Sequence, residues 1–117
     1  MDINELQARA RELLERAADS VHYAAHPGDE LGSTGPDADV LDPIVSDLNE
    51  VRKLLGPGIG RADTQEGLPK LRETVRRMEG LVMTPAGQGG PIFLTETGRG
   101  ALRDAVRLLK QVEQLYA

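Results

Sequence analysis

Apolar residues recur at helical spacing over most of this chain. From 2 to 25, Ile3, Leu6, Ala10, Leu13, Leu14, Ala17, Val21 and Ala24 form one stripe, Asp2 and Glu5 stand as a capping box ahead of it, and Pro27 and Gly28 stop it. A second stripe, Ile44, Val45, Leu48, Val51, Leu54 and Leu55, predicts a helix over 43–55. Asp42 is its expected N-cap, Pro43 its first residue, and Gly56 and Pro57 its end. Leu68, Leu71, Val75 and Met78 predict a third helix over 64–79, opened by Asp63 and Glu66 as another capping box. The fourth, over 96–116, follows Thr95 and carries Leu102, Ala105, Val106, Leu108, Leu109, Val112, Leu115 and Tyr116. These spread over about half its circumference, more than one small core requires.

The segments between these stripes lack periodicity. Residues 27–39 and the GPGIGRADTQEG stretch are dense in Gly, Pro and Asp and read as connections. The second has no preceding strand and no Gly-Lys-Ser/Thr ending, so it is no phosphate loop. Residues 81–94 differ: Leu81, Val82 and Met83, then a Gly-rich tip, then Ile92, Phe93 and Leu94 read as a short antiparallel hairpin. The expected fold is mainly α, four helices with a short β-hairpin wing, in a single domain over 1–117. The alternative is a four-helix bundle without a wing, in which 81–94 is a loop.

Composition narrows the function classes. With 117 residues and no cysteine, the chain can bury a core without staples and has no thiolate chemistry or Cys-based zinc site. A reducing compartment, the cytoplasm, is the simple expectation. No run approaches the roughly 18 apolar residues of a membrane span. The net charge of -5 disfavours indiscriminate nucleic-acid binding, and 3% aromatic content leaves no stacking platform for single strands.

Candidate chemistry is sparse. On the first helix, Glu15, Asp19, His22 and His26 fall on the face opposite the apolar stripe at spacings from which a divalent metal could be held. With no further histidine in the chain they are read as a solvated face, and no metal or cofactor is expected. No nucleophile with a base beside it is recognisable, so no catalytic residue is assigned and the chain is read as a non-enzyme.

One stretch carries a resemblance. Arg77, Met78, Glu79, Gly80, Leu81 and Val82, followed after the Gly-rich tip by Leu94, Thr95, Gly98, Arg99 and Leu102, resemble the second half of MarR-like and PadR-like winged helix-turn-helix regulators. The resemblance covers about a quarter of the chain. It implies that Gly80 ends the third helix, that the wing follows, and that the third helix enters the major groove of double-stranded DNA. Lys70, Thr74, Arg76 and Arg77 would then face DNA, with Gln88 at the wing tip. Lys70, Arg72, Arg76 and Arg77 are equally a solvated face paired to Glu66, Glu73 and Glu79.

The leading expectation is therefore a small dimeric DNA-binding transcriptional regulator. Leu102, Val106, Leu109, Val112 and Tyr116 are the expected interface with a second copy or a protein partner. The alternative is an acidic helical adaptor or assembly subunit without DNA function.

Overall fold

The computed structural model describes residues 2–27, 35–83 and 94–117. Four helices make up the body: α1 Ile3–Ala25, α2 Ala38–Leu55, α3 Thr64–Met83 and α4 Glu96–Leu115. Each packs on its sequence neighbours, and α4 closes the ring against α1. Cross-helix contacts give the directions. His26 at the end of α1 meets Asp42 near the start of α2, Leu55 at the end of α2 meets Gly67 near the start of α3, and Arg72 of α3 meets Glu113 late in α4. The arrangement is an up-down-up-down four-helix bundle.

Each helix buries most of the stripe its spacing announces; Ile3, at 57% exposure, lies outside the core. Leu13, Leu14, Leu41, Leu48, Leu55, Leu71, Met78, Leu102 and Leu109 are fully buried along the bundle axis. Three helix starts are capped by side chains as their sequences imply. Asp2 accepts from the Glu5 N–H at 2.8 Å, Asp63 from the Glu66 N–H at 3.1 Å, and Thr95 from the Gly98 N–H at 3.1 Å. Each contact satisfies a first-turn donor that the helix itself leaves open.

The expected wing is not formed. Leu81, Val82 and Met83 continue α3, and no strand occurs among the described residues. Gly80 is helical and does not end α3; among the described residues the positive-φ glycine is Gly60, φ 91°, in the α2–α3 connection. The physical reason is local. Leu81 and Val82 stand three and four residues beyond Met78, so a continuing helix keeps them against the core while their N–H groups bond to the preceding turn. Two three-residue ribbons would make only a few ladder bonds. Ile92, Phe93 and Gln88 lie outside the described residues.

The second helix also differs from expectation. It begins at Ala38, with Pro43 inside it and Asp37 as the preceding residue. In the second turn, Pro43 lacks the N–H that would bond the Asp39 carbonyl and its ring crowds that carbonyl, a cost of up to about 3 kcal/mol. Burial of Ala38 and Leu41, which extend the stripe of Ile44, Leu48, Val51 and Leu55 backwards, offsets it.

The Gly-rich α2–α3 connection is anchored by a side chain that the stripe of α1 did not include. Gln7 is 5% exposed; its Nε2 donates to the Gly60 carbonyl at 3.1 Å and its Oε1 accepts from the Ala62 N–H at 3.0 Å. A buried amide must be satisfied on both sides, and here the loop backbone does so. Gly56 lets α2 end against α1: a Cβ there would stand 2.6 Å from the Arg11 Cα.

Candidate functional site

The cationic face expected on α3 is largely consumed within the bundle. The Lys70 Nζ stands 2.9 Å from the Glu50 carboxylate, Arg77 pairs with Asp47, and Arg72 pairs with Glu113 at 3.1 Å. The partners are thus on α2 and α4, whereas the sequence pointed to acids on the same helix. The Glu50 hydrogen bond, with added attraction from Asp47 and Glu73, raises the Lys70 ammonium pKa above its ordinary value.

Thr74 does not face outward. It is buried, and its hydroxyl donates to the Lys70 carbonyl at 2.8 Å. Because α3 packs against both α2 and α4, its buried arc is wider than Leu68, Leu71, Val75 and Met78 alone suggest, and Gly67 and Thr74 fall within it. Of the expected DNA-facing residues, Arg76 is exposed and takes part in no ion pair among the described residues. Gln88 falls outside the described residues.

The apolar surplus of α4 is also largely absorbed. Leu102, Val106, Leu109 and Val112 are buried in the core between α1 and α3. Tyr116 packs against that core, and its hydroxyl donates to the Leu55 carbonyl, closing the end of α4 over the end of α2. The cover that the wide stripe calls for is supplied within the chain.

Among the described residues, a mostly apolar groove lies open where the end of α3 runs past the start of α4. Glu79, Val82, Met83, Arg103 and Val106 line a space of about 180 Å³ that is mostly apolar. Met83 is 79% exposed. Glu79 is engaged by Lys110 at 3.5 Å, whereas Arg103 is exposed and has no acidic partner among the described residues. The sequence carried the signal for these residues in its Leu-Val-Met run, but as a strand that run would have been spent on pairing.

The acids expected beside the α1 histidines separate from them. Glu15 binds Arg11 at 2.9 Å, and Asp19 is exposed. Asp42, which sequence spacing placed as a helix cap, instead sits inside α2 with its Oδ1 2.9 Å from His26 Nε2. The α1–α2 register alone brings it there.

A larger polar cleft of about 430 Å³ lies between α1 and α4, lined by Arg16, Ser20, Asp104, Arg107, Leu108 and Gln111. Its one acid is flanked by arginines, and no hydrogen bond links the groups that would form a nucleophile and its base. Among the described residues, no helix is long and apolar enough to cross a membrane. Compared with known family models, curated proteins and solved structures, the chain matches none.

Proposed function

We propose that this chain is a non-enzymatic helical adaptor or assembly subunit, acting in the cytoplasm, that holds a protein partner in the groove between the end of α3 and the start of α4. The observation that carries this reading is the exposure of Met83 beside Val82 and Val106 at the mouth of a mostly apolar groove. An unbranched thioether adapts its shape to an incoming side chain, which is why methionine recurs on binding surfaces. The unpaired Arg103 on the rim defines the rest of the partner: an aliphatic anchor with a carboxylate close by. A groove of this size suits a short anchor segment better than a broad folded surface.

The alternative, a dimeric regulator binding double-stranded DNA, has the exposed Arg76 in its favour. Lys70 and Arg77 would have to release Glu50 and Asp47 before meeting phosphates, which weakens the electrostatic gain on which such binding depends. One pair of measurements separates the two. Selection of displayed random peptides on the full chain should enrich sequences pairing an aliphatic residue with an acid. Their affinity should fall at least tenfold in Met83→Asp and in Arg103→Glu. Absence of enrichment, or peptides indifferent to both changes, overturns the adaptor reading. A sequence-specific, steeply salt-dependent DNA shift that Arg77→Glu abolishes would establish the regulator instead.

A further inference from the structure

We propose that His22, His26 and Asp42 form a binding site for a divalent transition-metal ion, of the zinc class, at the junction of α1 and α2. The site is separate from the groove and from any partner held there. Residues four apart share a helix face, and the imidazole rings of His22, in the last turn of α1, and His26, its C-cap, lie 5.0 Å apart, centroid to centroid. Antiparallel packing then brings Asp42 across from α2. One ligand atom from each of the three residues lies within 4.8 Å of the other two.

A tetrahedral ion with bonds of about 2.0–2.2 Å to nitrogen and oxygen requires ligand atoms roughly 3.3 Å apart. His26 Nε2 and Asp42 Oδ1, at 2.9 Å, already stand near that separation, and a side-chain rotation of His22, whose ligand atom lies within 4.8 Å of both, would complete the set. His22 and Asp42 are exposed and His26 is half-buried, so an ion can reach the site and the side chains of His22 and Asp42 have room to turn. The backbone positions are fixed more firmly than the side chains. Ala24 and Ala25 beside the histidines, and Leu41 and Ile44 beside Asp42, are all buried in the core.

The ligand types select the ion. Two imidazoles and one carboxylate suit zinc and its late-transition neighbours, whereas calcium and magnesium prefer oxygen alone. Three protein ligands leave the fourth position of the tetrahedron to water or to a group from another molecule. The ion would also join the end of α1 to the first turns of α2 and so stabilise the folded state in proportion to its occupancy.

The test uses the full chain stripped of metal by chelation. Titration with zinc alone, followed by calorimetry, is expected to show one ion per chain, and added zinc to raise the melting temperature. Cobalt should give the visible absorption of a four-coordinate ion. His22→Gln, His26→Gln and Asp42→Asn should each weaken zinc affinity at least tenfold while melting like the parent protein in chelator. Glu15→Gln and Asp19→Asn should leave it within about twofold. Absence of stoichiometric binding overturns the proposal, as does binding that survives all three ligand changes or responds to Glu15 and Asp19 instead.

Discussion

The carboxylate of Asp37 accepts hydrogen bonds from both the backbone N–H of Thr95, at 3.0 Å, and the Thr95 hydroxyl. Asp37 immediately precedes α2 and Thr95 caps α4, so one buried acid ties together the starts of two helices that stand diagonally across the bundle. Its side chain makes no capping bond to its own helix. Instead its negative charge sits at the amino end of α4, where the helix dipole favours it. Gly98 completes the arrangement, because a Cβ at that position would lie 2.3 Å from Asp37 Oδ2.

Asp37→Ala should therefore destabilise the protein well beyond an ordinary surface change. It leaves the Thr95 N–H and hydroxyl without an acceptor in a site where Asp37 is 2% exposed. Unpaired donors cost about 1–3 kcal/mol each when fully buried, and Thr95 is only half-buried, so a total of about 2–4 kcal/mol, in the lower part of the range for two donors, is expected. Urea denaturation should show it as a lower midpoint at unchanged slope. Asp37→Asn, which keeps one acceptor oxygen, should lose less.

The helical state of Gly80 gives a test with opposite signs for the two fold expectations. Where a helix runs on past it, Gly80→Ala removes backbone freedom from the unfolded chain and should stabilise by about 0.5–1 kcal/mol. Gly100→Ala should behave alike, since nothing among the described residues stands within 4 Å of either added methyl group. A left-handed Gly80 ending its helix before a wing would instead make Gly80→Ala destabilising. Gly56→Ala should cost about 2–3 kcal/mol, because its methyl group meets the backbone of Arg11 and forces α1 and α2 apart. Thermal melts of the three variants decide.

Tyr116 should give the stability an alkaline limb. Burial raises its phenol pKa above the ordinary value near 10, so the neutral form is favoured in the folded state. Its contribution is fully present below the unfolded pKa and is lost as pH rises through the higher folded one. Tyr116→Phe should lower stability at neutral pH by about 1 kcal/mol through loss of the bond to Leu55. It should also remove this part of the decline above pH ~10, read from denaturant midpoints across pH 7 to 11.

Arg99 carries a cost that a neutral side chain would avoid. It is 8% exposed, and its Nε is the only side-chain nitrogen or oxygen, among the described residues, that is buried without a hydrogen-bond partner. Arg99→Met keeps the long apolar stem and removes the charge. The expected result is a neutral to stabilising change of up to about 2 kcal/mol in urea. A loss of several kcal/mol would show that the guanidinium is engaged.

Much of the fold is legible along the chain because helical periodicity is a local property. The stripes of α1, α3 and α4 and the caps at Asp2, Asp63 and Thr95 depend on residues within one turn of each other. Where two local readings competed, packing decided between them. Leu81, Val82 and Met83 fit a short strand or a further helical turn equally well, and the core already formed around Met78 selects the turn. Asp42 beside Pro43 makes a good helix start, yet the burial of Ala38 and Leu41 moves that start earlier and places Asp42 inside α2.

The sequence by itself determined the helical body, the absence of cysteine chemistry and an overall acidic charge, all set by residue type and short spacing. Only the tertiary structure decided which groups meet: Arg77 with Asp47, Asp37 with Thr95, and His22 and His26 with Asp42. Those meetings depend on the antiparallel order of the helices and on their register along one another. Contacts between distant parts of the chain fix both, Gly56 against Arg11 and Gly67 against Leu55 among them, and no repeat along a single helix encodes them.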